Sequence, residues 1–191
     1  METMNAQDVL LVILDYQRKG DNWEAMKHLK ELAQSCPENA FYQKLLGNTY
    51  FHMGLLDWAI DYYIKAVEVD YDYIDAHYDL GVAYYHRGRV NQAIAEFKIV
   101  LELDSNYHAA HYRIGICYHH VNQYDKALHH FVESTVITPE YVMAHYHLGV
   151  LYYKMGDYEK ADREFRRVLE ENPEDNASRR YLELIAESDG Q

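Results

Sequence analysis

The sequence is poor in cysteine, in proline and in positive charge. Of 191 residues two are cysteine and three are proline, while 18 Lys and Arg face 31 Asp and Glu, a formal charge of −13. Cys36 and Cys117 stand too far apart to suggest a disulfide framework or a zinc spacing. The shortage of cations excludes nucleic acid as a partner class, because phosphates reward clustered Lys and Arg. The same sign argues against an anionic membrane surface. Long apolar runs are missing too: Val9 to Leu14 is far short of the ~20 residues a spanning helix needs. Met1 to Asp8 carries acids and no base, unlike a secretory leader. The expectation is a soluble cytoplasmic protein, peripheral to a membrane or organelle only through a partner, with no direct membrane insertion. Phosphate loops, HExxH and G-x-S-x-G are absent. No enzyme activity, no cofactor and no metal is therefore expected.

What the sequence has in excess is tyrosine, 20 of them, and their placement is periodic. Tyr16, Tyr50, Tyr84, Tyr118 and Tyr152 are spaced by 34 residues. The same interval collects Gly47, Gly81, Gly115 and Gly149, and again Ala25, Ala59, Ala93, Ala127 and Ala161. Three concordant columns mark a structural repeat, in which each unit buries its apolar face against its neighbours. Pro37, Pro139 and Pro173 share one position of three units, so proline only punctuates between repeats.

Each unit reads as two helices. Asp75 to Arg87 carries Ala76, Leu80, Ala83 and Tyr84 at helical spacing, and Gly88-Arg89 ends it. Asn91 to Leu103 follows, with Ala93, Ile94, Phe97, Val100 and Leu101 inward. Gly20, Gly54, Gly88 and Gly156 hold the turn, and Asn122 replaces glycine there, as a left-handed turn residue permits. A glycine inside a helix, such as Gly81, costs about 1 kcal/mol of propensity, so its recurrence implies close packing.

These columns resemble the tetratricopeptide repeat family, whose signature is W-x2-L-G-x2-Y…A-x3-F…P. Val142 to Asp175 matches best, with His145 in place of tryptophan, then Leu148, Gly149, Tyr152, Ala161, Phe165 and Pro173. The first unit departs, with Ile13 for the glycine and Leu29 for the aromatic. Tyr71 and Ser105 stand where two other units would have proline. The resemblance implies an all-α fold: one right-handed superhelical α-solenoid over residues 1–191. Its repeats are 6–39 (degenerate), 40–73, 74–107, 108–141 and 142–175, about five helix-turn-helix units closed by a C-terminal capping helix, 176–187. In that helix Tyr181, Leu182 and Ile185 face inward.

In the family the first helix of each unit lines a concave groove for peptide segments. Carried over by position, the groove residues are Lys44, Asn48 and Phe51, then Tyr78, Val82 and Tyr85, then Tyr112, Arg113, Ile116 and His119, then Tyr146, Val150 and Tyr153. The implied function is a non-catalytic protein-protein interaction module that organises a complex. A clamp for the chaperone carboxylate is not expected, since the family's five gripping positions become Lys44, Asn48, Asp79, Ala109 and Arg113. Asp79 sets an anion at the site and Ala109 removes a cation. The alternative is a self-assembling scaffold, similar to magnetosome-associated, organelle-coating members of the family. Its motive is the all-round apolar first unit, whose Leu10, Leu11 and Leu14 would dock into the groove of a second copy. The partners expected are thus other proteins, or the protein itself.

Twelve histidines complete the reading. His77, His111 and His145 share one repeat position and are expected at the surface or groove edge. Full protonation would take the charge from −13 to −1, which predicts association near the isoelectric point of 5.3. Cys117 is expected to be a buried, unreactive core residue.

Overall fold

Side-chain caps mark the start of four of the described helices. In the computed structural model, residues 11–13, 15, 16 and 18–189 are described. Two compact units form, Met1–Ser105 and Asn106–Gln191. In the first, the described residues of 11–18 are helical, followed by α1 (Asn22–Ser35), α2 (Ala40–His52), α3 (Leu56–Val69), α4 (Ile74–His86) and α5 (Val90–Leu103). The second holds α6 (His108–His120), α7 (Tyr124–Ile137), α8 (Val142–Met155), α9 (Tyr158–Glu171) and α10 (Asn176–Asp189). The described residues include no strand. Asp21, Asn39, Asp157 and Asp175 each accept from a backbone N–H in the first turn of the following helix, a side-chain N-cap.

Turns inside the pairs follow one pattern. Asn122, between α6 and α7, takes φ 57°, the same left-handed state that Gly88 takes at 79° between α4 and α5. Two backbone bonds close each turn: Asn122 N–H to the His119 carbonyl and Gln123 N–H to the Tyr118 carbonyl, with Gly88 to Tyr85 and Arg89 to Tyr84 as counterparts. These reversals lay α2 on α3 and α4 on α5 in one unit, and α6 on α7 and α8 on α9 in the other.

The recurrent interior glycine now has its packing reason. A Cβ on Gly115 would lie 2.6 Å from the Phe131 ring, and one on Gly81 2.7 Å from Phe97. The ring on each second helix therefore lies directly against the backbone of the first. Phe97, Phe131 and Phe165 are all fully buried. The degenerate first unit solves the same volume differently. Ile13 replaces the glycine and Leu29 the ring, and both are fully buried, so two medium side chains stand in for a small and a large one. Cys117 is fully buried as expected, and burial pushes its thiol up to about 12. Leu101, expected in the core, is only partly buried. On α10, Ile185 is buried and Tyr181 stacks on Phe165 at 4.6 Å.

The histidine ladder is structural, which corrects its expected surface placement. His77 is 2% exposed, with Nδ1 2.7 Å from Glu96 on α5 and Nε2 3.0 Å from the Tyr71 carbonyl in the preceding turn. His145 repeats the arrangement with Glu164 and the Pro139 carbonyl, each at 2.7 Å. In α2 the same position is Gln43, whose amide donates to the Ala33 and Pro37 carbonyls. An imidazole in the tryptophan position thus fills volume and ties three elements by its two nitrogens. The Glu164 hydrogen bond raises the His145 pKa against the opposing effect of burial.

Candidate functional site

Residues placed by resemblance on the first helices fall into two walls, one per unit. In the first unit, Lys44, Asn48 and Phe51 come from α2, and Tyr78, Val82 and Tyr85 from α4. Asn48, Phe51 and Val82 are brought together around a cavity of about 160 Å³, which His52, Tyr63 and Asp79 complete. Its floor is polar and organised: Tyr63, fully packed over Gly47, donates its hydroxyl to Asn48 Oδ1 at 2.8 Å. Desolvation raises the Tyr63 pKa, so that hydroxyl remains a donor. Phe51 meets the His86 ring edge-on at 5.5 Å, and Tyr78 leans on Phe97 at 5.6 Å. Tyr85 lies half-buried toward the end of α4, beside His86 at 5.9 Å.

Lys44 is not an open cation. Its Nζ lies 3.0 Å from Asp79 Oδ2, and both side chains are mostly buried. Burial raises the Asp79 pKa, with Lys44 acting against it. The pair is internally neutral and spans two successive first helices, so Lys44 is already engaged before any ligand arrives.

In the second unit, Tyr112, Arg113, Ile116 and His119 come from α6, and Tyr146, Val150 and Tyr153 from α8. Two of these prove to be core. Tyr112 is 7% exposed, set against Phe131 at 5.8 Å and edge-on to Tyr141 at 5.2 Å. Val150 is 8% exposed, in a cluster with Ala161, Phe165 and Ile185. Alanine at Tyr112 would therefore disturb packing as well as any wall. Ile116 is half-buried against the same core as Tyr112, and Arg113 is half-buried. Tyr146 packs on Phe165 at 6.1 Å, and Tyr153 sits between Tyr158 and Tyr181 at 5.4 and 5.2 Å. His119 accepts from Lys154 Nζ across 3.3 Å and lies 5.7 Å from Tyr124.

His147 is the residue that the carried-over positions omit, although it shares its repeat position with Arg113. It stacks on Phe131 at 5.3 Å and contacts Tyr112 at 5.7 Å and His119 at 6.3 Å. Desolvation, then the neighbouring His119, lowers its pKa to about 4. His111 and His119 are also lowered, chiefly by burial. Burial thus keeps His147 neutral in mild acid and disfavours charge on the other two, so the charge near the isoelectric point is more negative than full protonation would give. The expected loss of repulsion is correspondingly smaller, because desolvation opposes the added proton at these three rings.

Of the residues placed on the self-association face, Leu11 is 67% exposed, while Leu10 and Leu14 lie outside the described residues. Among the described residues no three His, Cys, Asp or Glu side chains gather as a metal site, and no helix is long and apolar enough to cross a membrane.

Comparison with known proteins places these features. A family model described as tetratricopeptide repeat matches residues 74–107 and 142–175, and a second, described as TPR repeat, matches 47–86 and 118–156. Together they cover more than half of the chain. No curated protein sequence matches it. Among solved structures, MamA is 27% identical, with a TM-score of 0.79 over 90% of this chain and 96% of that one. MamA 41-end from Desulfovibrio magneticus RS-1 is 20% identical, with a TM-score of 0.81 over 91% and 99%. PilW, a type IV pilus biogenesis factor, is 20% identical, with a TM-score of 0.81 over 98% and 88%.

Proposed function

The chain belongs to the tetratricopeptide repeat family, and from that premise we propose that it is a non-catalytic module binding segments of partner proteins along its first-helix walls. The observation that carries this reading is the cavity of about 160 Å³ on the α2–α4 wall. Phe51 and Val82 offer it apolar contact, while Asn48 and Tyr63 supply a preorganised polar floor. Such a recess suits one anchoring side chain of an extended segment, the kind of buried contact that dominates protein interfaces. The test begins with a partner captured from the native source, followed by calorimetry with purified components. Phe51→Ala and Val82→Asp are expected to weaken binding by about tenfold or more each, with melting temperature as the control on folding. Undiminished affinity in both folded variants would remove this wall from the account.

A second reading is supported by the first unit. Leu11 is 67% exposed two residues before the fully buried Ile13, on a stretch with no polar residue from Val9 to Leu14. An exposed leucine on such a stretch favours self-assembly through a heterologous, open contact. Light scattering against concentration should then show growing mass for the wild type, and Leu11→Asp should reduce it. A wild type that stays monomeric throughout sinks this reading and leaves the first intact.

A further inference from the structure

One step of the histidine ladder is built unlike the others. At the ladder position of α4 and α8 the ring meets a glutamate 19 residues on, Glu96 or Glu164. In α6 and α7 the residue at that separation is His130, and its Nδ1 lies 3.1 Å from Nδ1 of His111. Two neutral imidazoles make such a contact by sharing one proton, one Nδ1 donating and the other accepting. Both rings are half-buried and held, His130 by stacking on Tyr118 at 5.7 Å and His111 from the interior of α6.

The separation is close to what a metal requires. Two nitrogens bound at about 2.0–2.1 Å with a tetrahedral angle stand about 3.3–3.4 Å apart. Opening the pair by a few tenths of an ångström admits an ion in place of the shared proton, with both rings then protonated on Nε2. We propose that His111 and His130 form a chelating pair for a nitrogen-seeking divalent transition ion, Zn²⁺, Ni²⁺ or Cu²⁺. Glu133, one turn beyond His130 on α7, already acts electrostatically on His111 and lies 4.0 Å from His129. It supplies the negative charge that offsets the ion, and water takes the remaining coordination positions. The repeats with glutamate at this register offer a hydrogen-bonded carboxylate instead of a second imidazole, which confines the pair of nitrogens to the α6–α7 step.

The experiment uses the untagged full chain, titrated calorimetrically with ZnCl₂ and with NiCl₂ at pH 7.5. A saturable site is expected in the wild type. His111→Gln should weaken it by at least about tenfold, since loss of even an outer partner of a ligand costs 10–100-fold. His130→Glu should also weaken it. Both substitutions copy residues that other repeats already use, Gln43 at the first position and Glu96 or Glu164 at the second. Both are therefore expected to melt close to the wild type, and that melt is the folding control. Saturable binding that His111→Gln leaves unchanged shows only the other histidines at work and overturns the proposal. So does the lack of any saturable binding by the wild type.

Discussion

Alanine at Phe131 is expected to destabilise the fold by about 3–5 kcal/mol, the range for truncating a buried phenylalanine without collapse of its surroundings. The ring is fully buried and occupies the space above Gly115, where even a methyl group would not fit. Backbone at Gly115 has no side chain with which to fill the vacancy. Tyr112 and His147 lie against other parts of the ring, at 5.8 and 5.3 Å, and are held by their own helices. Little relaxation is therefore available, and the cavity should persist. Chemical denaturation followed by circular dichroism measures the loss. A change below about 1.5 kcal/mol, the size of a tolerated volume-conserving swap, would mean that the ring is not the keystone of this helix pair.

Acid is expected to remove about 2 kcal/mol through His147 alone between pH 7 and 4.5. Its pKa is about 4 in the folded chain against an ordinary 6.5. The folded state thus binds fewer protons than the unfolded state below pH 6.5. Stability is fully present above that value and falls as the pH drops toward 4. The figure is reduced from the full linkage because the ring is partly accessible. His111 and His119 are lowered as well and act in the same direction. His145 opposes them: its raised pKa contributes stability below about pH 6.5 that is lost as the pH rises through the folded value. His147→Phe keeps an aromatic face on Phe131 and removes the titrating group. Denaturation at pH 7 and at 4.5 should show the variant losing less stability than the wild type. Equal losses would assign the acid sensitivity to other groups. The two expectations are coupled, since removing the Phe131 ring also removes the surface that desolvates His147. In Phe131→Ala the His147 contribution to acid loss should shrink.

Much of this was legible in the 34-residue columns. Gly88 and Asn122 announce the same left-handed turn, and Gly81 and Gly115 announce the close approach of a ring, because each answers to a local steric demand that recurs from unit to unit, the ring approach in all but the degenerate first. The walls were legible only as a family position. Tyr112 and Val150 occupy groove positions by register yet belong to the core, since the first helices are short and packed on several sides. The pairs that knit successive first helices obey a lag of 35 rather than 34: Lys44 with Asp79, Phe51 with His86, Tyr112 with His147, His119 with Lys154. That lag was present in the sequence, but only packing shows that equivalent helices meet one residue out of step.

By itself, then, the sequence determined the repeat, the two-helix unit and the place of every glycine turn, because each follows from backbone freedom or from periodic burial. Tertiary structure alone decided the chemistry of the polar side chains. Histidine at the tryptophan position became a buried brace because Glu96 and a turn carbonyl converge on its two nitrogens. Lys44 became half of an ion pair because Asp79 arrives from the next first helix. His111 and His130 face one another because α7 folds back on α6. A hydrogen bond or an ion pair depends on tenths of an ångström between distant segments, which residue type and spacing do not specify.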